Sequence, residues 1–206
     1  MLVMTTIAWA ACQPTHSPVP ASPVSVQSQP PAPTVEPQPY LSLQQLAESL
    51  KRAPTLARLT KLHPPFDSLQ FDKAMAYDYN GAKGEQALYI VEEGRLAPTI
   101  VAQQPLDGHD VEALVGLLYN KRAYGDAPAF CFEPHLGIVF YQSDSIVAHL
   151  SICISCKRLT GSPAVPAHLF PQVRLPDGTS YPADGLNDRT LQQLRKWLRQ
   201  WQFRSF

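Results

Sequence analysis

Apolar residues change their spacing several times along this chain, and each spacing predicts an element. Ser42 followed by Gln45 has capping-box spacing, and Leu43, Leu46 and Leu50 follow at helical intervals. A first helix is therefore expected over residues 42–52, before Pro54, Pro64 and Pro65 impose irregular structure. Phe71, Met75, Tyr77 and Tyr79 fall on alternate positions, the pattern of a strand with one buried face. Turn residues at Asn80-Gly81, Lys83-Gly84 and Glu93-Gly94 separate this strand from apolar runs at 86–91 and 96–102, which together read as a meander. Asp107 and Asp110 can cap a second helix, whose apolar face is Val111, Leu114, Val115 and Leu118. Residues 129–133 and 136–142 read as strand, with 146–154 as the hairpin partner across Ser143-Asp144-Ser145. Residues 160–186 contain five prolines and read as a long surface loop. Asn187 or Asp188 should cap a last helix with Leu191, Leu194, Leu198 and Trp201 on one stripe. Trp197 and the nearby basic residues would also suit a membrane surface, but so narrow a stripe favours packing on the sheet. The expected class is α+β: an antiparallel sheet, built from the meander and a cysteine-bearing hairpin, packed with about three helices. Residues 40–206 form the single domain in this reading.

The segment before residue 40 has a different character. Residues 13–39 contain nine prolines and one formal charge, Glu36, with no apolar periodicity. Proline fixes φ and removes backbone donors, so this stretch reads as a disordered tether reaching about 80 Å in polyproline-II form. Residues 1–12 contain no charge, and their apolar run is too short for a bilayer-spanning helix. The run has the length of a signal-peptide apolar region. Ala10-Ala11-Cys12 resembles the lipobox of bacterial lipoproteins, in which the cysteine is acylated and becomes the mature N-terminus. Trp9 departs from that pattern, where Leu is usual, and the basic start is missing, as it would be if the true start lay upstream of Met1. The resemblance implies lipidation at Cys12, export, and a membrane partner held through the lipid anchor in the bacterial cell envelope.

Composition narrows the function classes. Seventeen basic and seventeen acidic residues balance, giving no electrostatic footprint for nucleic acid or an anionic membrane surface. There is no glycine-rich phosphate loop, and His63, His109, His149 and His168 are scattered without nucleophile spacing.

The chemistry gathers in one motif, Cys131-Phe-Glu-Pro-His135-Leu-Gly-Ile-Val-Phe-Tyr141, with Ile152-Cys153-Ile-Ser-Cys156 on the return strand. If Tyr141 faces Ile146, then Cys131 lies opposite Cys156 and Pro134 opposite Cys153. Facing strand residues meet the Cα separation a disulfide needs, and an exported protein meets an oxidising compartment. Cys131–Cys156 is then the preferred bridge and Cys153–Cys156 the runner-up. With Cys12 lipidated, one thiol of three is left over, which opens thiol–disulfide exchange as a second reading. A third is a zinc site of Cys131, His135, Cys153 and Cys156, three sulfurs and one imidazole. The strand-like hairpin and the oxidising location argue against it, and the leading expectation is no cofactor. The motif is similar to one in a group of bacterial exported proteins and lipoproteins for which it implies no activity. In that group the position after Pro134 is often Arg, whereas here it is His135. The leading functional expectation is a non-enzymatic binding module on a flexible stalk, contacting an envelope protein or ligand. The alternative is an envelope thiol-redox or zinc protein using Cys131, Cys153 and Cys156.

Overall fold

The computed structural model describes residues 39–56, 62, 64–83 and 86–204. Cys12, the expected tether up to residue 38, His63 and Gly84 lie outside the described residues. No helix among those described is long and apolar enough to cross a membrane.

Five strands form the central sheet: β1 (Lys73–Tyr79), β2 (Ile100–Leu106), β3 (Leu136–Gln142), β4 (Ser145–Cys153) and β5 (Arg158–Ser162). Their order is β5-β4-β3-β1-β2, and every pairing is antiparallel. Three helices, α1 (Leu43–Arg52), α2 (Gly108–Leu118) and α3 (Asp188–Gln200), complete an α+β fold. Each helix starts where the sequence signals it. Ser42 and Gln45 close a reciprocal capping box on α1, Asp107 accepts from the Asp110 N–H, and Asn187 accepts from the Thr190 N–H.

The sheet buries both faces. On one, Ala74, Ala76, Ile138, Phe140, Leu150 and Ile152 share a core with the apolar stripes of α2 and α3. Trp197 and Trp201 pack against this core, so the last helix lies on protein. On the other, Met75, Tyr77, Tyr79, Val139 and Tyr141 pack with Leu46 of α1, Leu88 and Ile90. The alternation in β1 therefore reflects two cores rather than one buried face. From Ala74 to Tyr79 every residue is buried, because β1 lies between β2 and β3 and both faces are covered.

Two other expectations are revised. The run at 86–91 does not join the sheet. Two small hairpins, 82–83 with 86–87 and 91–92 with 95–96, flank Leu88 and Ile90, which pack over the second face. Ile90 lies so close to Gly137 that a Cβ there would collide with it. Within 160–186, the expected loop contains the end of β5, a hairpin of Gln172–Arg174 with Ser180–Pro182, and a short strand, Gly185–Leu186, paired with Tyr124–Asp126. At the far end of the domain, the Arg204 N–H donates to the carboxylate of Asp78 on β1 at 2.7 Å, and both Asp78 and Phe203 are buried.

Candidate functional site

The hairpin of β3 and β4 sets the site. Tyr141 faces Ile146 as expected, but a bulge between Phe140 and Tyr141 shifts the register, so that Phe140 faces Ala148 and Leu136 faces Ile152. β3 begins only at Leu136; residues 127–135, with Pro128 and Pro134, lie outside any strand. The chain there is held by Ala129 N–H to the Cys156 carbonyl (3.0 Å) and His135 N–H to the Ile152 carbonyl (3.2 Å). β4 ends at Cys153, which pairs with Arg158 of β5, and residues 154–157 make the turn between them.

That turn changes the disulfide assignment. Cys153 and Cys156 are bonded to each other, with Cα atoms 5.3 Å apart, within the range a bridge requires. The preferred Cys131–Cys156 pairing is replaced by the runner-up. The extrapolated register fails because Cys131 lies on a loop rather than on a strand facing Cys156, while the tight turn brings Cys153 and Cys156 together locally.

Cys131 is a free, exposed thiol, and its Sγ lies 3.4 Å from the Sγ of Cys156. Cys153 and Cys156 are fully buried. Of the three cysteines, only Cys131 is exposed. Two backbone donors point at the bonded sulfurs: Cys156 N–H to Cys153 Sγ at 3.1 Å, and Glu133 N–H to Cys156 Sγ at 3.5 Å. Ser155 Oγ lies 3.4 Å from Cys153 Sγ and 3.8 Å from Cys156 Sγ. Beside the thiol, Phe130 is fully exposed, and the Phe132 ring packs on Tyr89 with centroids 5.7 Å apart.

Lys157 ends the turn with φ at +57°, a left-handed conformation that costs an L-residue about 1–2 kcal/mol. Its ammonium is held by Asp126 at 2.5 Å and by Asp188, the first residue of α3, at 3.0 Å. The hydrogen bonds it donates to Asp126 and then Asp188 raise the lysine pKa above its ordinary value. Its charge is thus committed to carboxylates rather than aimed at a thiol. Sequence reasoning missed this clamp: Asp126 is 31 residues away, with no motif to link the two.

His135 does not join the sulfurs in a ligand set. Its Nδ1 lies 3.2 Å from the Tyr79 carbonyl. With the bridge closed, the one group of three mutually close His, Cys, Asp or Glu ligand atoms among the described residues is Asp107, His109 and Asp110 at the start of α2. A separate open groove of about 940 Å³ runs between α1 and the second face of the sheet, lined by Leu43, Leu46, Leu50, Leu96 and Ile146. Tyr77 and Tyr141 also line it, and their hydroxyls hydrogen-bond to each other at 2.7 Å. Burial raises both phenols, Tyr77 to about 12, and the mutual hydrogen bond lowers Tyr77 while raising Tyr141. Comparison with protein-family models, curated proteins and solved structures returned no match.

Proposed function

We propose that this is an exported, lipid-anchored envelope protein whose domain carries out thiol–disulfide exchange through Cys131, Cys153 and Cys156. The observation that supports this reading is the 3.4 Å contact between the Cys131 thiol and Cys156, inside the ~3–3.5 Å range of a near-attack arrangement. The step is self-contained. The Cys131 thiolate attacks Cys156 Sγ, the Cys131–Cys156 bond forms, the Cys153–Cys156 bond breaks, and the electron pair leaves with Cys153, which takes up the proton. No external oxidant is consumed. Once Cys131 is in the new bond, a partner thiolate attacks its Sγ, the partner–Cys131 bond forms, the Cys131–Cys156 bond breaks, and Cys156 leaves as the thiol.

The plain interaction module on a stalk has weaker support, because the groove beside α1 carries no comparable chemistry. The two readings part in one experiment. The oxidised chain is equilibrated in graded glutathione buffers, quenched with acid, alkylated, digested and mapped by mass spectrometry. A population of Cys131–Cys156 chains with Cys153 alkylated is expected. If Cys153–Cys156 stays the sole bridge at every ratio until full reduction, and the Cys153→Ser variant never closes Cys131–Cys156, the exchange reading is lost and the stalked module replaces it.

A further inference from the structure

We infer that, once its bridge is reduced, this cluster is a three-thiolate site for a single Cu⁺ ion, with Zn²⁺ held more weakly. The inference deepens the exchange reading, since it concerns the reduced state of the same three cysteines.

Distance comes first. Thiolates sharing one ion at about 2.3 Å stand roughly 4 Å apart in trigonal geometry. Cys131 and Cys156 are already at 3.4 Å. Cys153 Sγ is bonded to Cys156 Sγ, so the three sulfurs already stand together. Opening the bridge frees Cys153 and Cys156 to separate and settle at a shared ion.

The surroundings of the sulfurs give an independent reason. Two backbone N–H groups donate to the bonded sulfurs, at 3.1 Å to Cys153 and 3.5 Å to Cys156. Such donors do little for a neutral disulfide. They disperse the charge of a bound thiolate, as the partners around metal ligands do. The Cys153-Ile-Ser-Cys156 spacing also matches the two-residue interval common between paired thiolate ligands. Lys157 does not compete for these charges, because Asp126 and Asp188 hold it.

The chemistry balances with one named co-reactant. A dithiol reductant transfers two electrons to the Cys153–Cys156 bond and becomes a disulfide, leaving three thiols on the protein. Cation binding then releases up to three protons, since the thiolate is the ligand. Soft sulfur donors select Cu⁺ and Zn²⁺ over hard cations. Three sulfurs complete trigonal Cu⁺ but leave Zn²⁺ short by one ligand, with His135 facing Tyr79.

The test uses the full chain, reduced anaerobically and desalted. Cu⁺ is titrated against bathocuproine disulfonate, and Zn²⁺ is titrated separately against a chromogenic chelator. One Cu⁺ per chain is expected, held more tightly than Zn²⁺. Cys131→Ser should weaken Cu⁺ at least tenfold, and because Cys131 is exposed the variant keeps the fold. His135→Ala should leave binding unchanged. Retention of neither ion, or Cys131→Ser binding like the wild type, overturns the site. A loss in His135→Ala as large as that in Cys131→Ser overturns the three-sulfur set, and Zn²⁺ binding more tightly than Cu⁺ overturns the three-coordinate assignment. Exchange is scored on the oxidised chain without metal, so a chain that binds Cu⁺ yet never forms Cys131–Cys156 keeps this inference and loses only the exchange reading.

Discussion

Moving the bridge from Cys153–Cys156 to Cys131–Cys156 changes how much of the unfolded chain it constrains, and that change has a calculable size. The bond present closes a four-residue loop, from a sequence separation of 3. The chain-entropy relation assigns such a loop about 1.9 kcal/mol at 25 °C. A bond between Cys131 and Cys156, 25 positions apart, closes 26 residues and is assigned about 3.5 kcal/mol. The long bridge should therefore stabilise the fold by about 1.7 kcal/mol more than the short one, before any distortion of the fold is counted; inside the folded domain both loops are already closed, and only that distortion decides the exchange. Two variants isolate the terms. Cys131→Ser retains only the short bridge, and Cys153→Ser can form only the long one. Urea unfolding of each, with and without reductant, gives the stability each bridge contributes. Reductant should cost Cys131→Ser about 2 kcal/mol and Cys153→Ser nearly twice that. If oxidised Cys153→Ser gains less from its bridge than Cys131→Ser does, the native fold resists the long bridge by more than the entropic gain. The exchange equilibrium would then lie with the bond already present.

Three further outcomes are expected. Gly137→Ala places a Cβ against Ile90 inside the second core and should destabilise the domain by about 1–3 kcal/mol in urea unfolding, with Ile90→Val restoring part of the loss. Tyr141→Phe or Tyr77→Phe alone leaves a buried hydroxyl without its partner and should cost about 1 kcal/mol or more; the double variant should cost less than the two singles added, and additive losses would refute a paired hydroxyl. Burial raises the pKa of Tyr77, Tyr79, Tyr119, Tyr124 and Tyr141, so the fold favours their neutral forms. Raised folded values give stability that is intact below the unfolded value near 10 and falls as pH climbs; for Tyr77 the window is about pH 10 to 12. Absorbance at 295 nm at pH 11 should therefore rise sharply on adding denaturant, and full tyrosinate absorbance in the folded protein would contradict the burial.

Local signals were legible where the chemistry is local. Ser42 with Gln45, Asp107, and Asn187 each cap a helix through their own side chains, so four residues suffice to read them. Tyr141 facing Ile146 was legible because a short turn fixes its nearest pair. Error grew with distance from that turn. The bulge at Phe140/Tyr141 shifted the pairs beyond it, and the chain leaves the strand before His135, so Cys131 could not be placed by counting. Leu88 and Ile90 look like strand residues because they are apolar; their burial comes from lying across the second face of the sheet, which only the tertiary arrangement reveals. The motif cysteines were found from sequence, but the choice of partner was settled by the turn at 154–157.

The bond from the Arg204 N–H to Asp78 joins positions 126 apart. Phe203 beside it inserts into the same core as α2 and α3. A carboxylate laid down in the first strand of the sheet thus accepts a donor that a ribosome supplies more than a hundred residues later. During synthesis the sheet can begin to assemble, but this closure has to wait for residues 203–204. A nascent chain of this protein therefore stays incompletely closed, and open to factors that act on unfinished polypeptides, until nearly all of its domain has emerged.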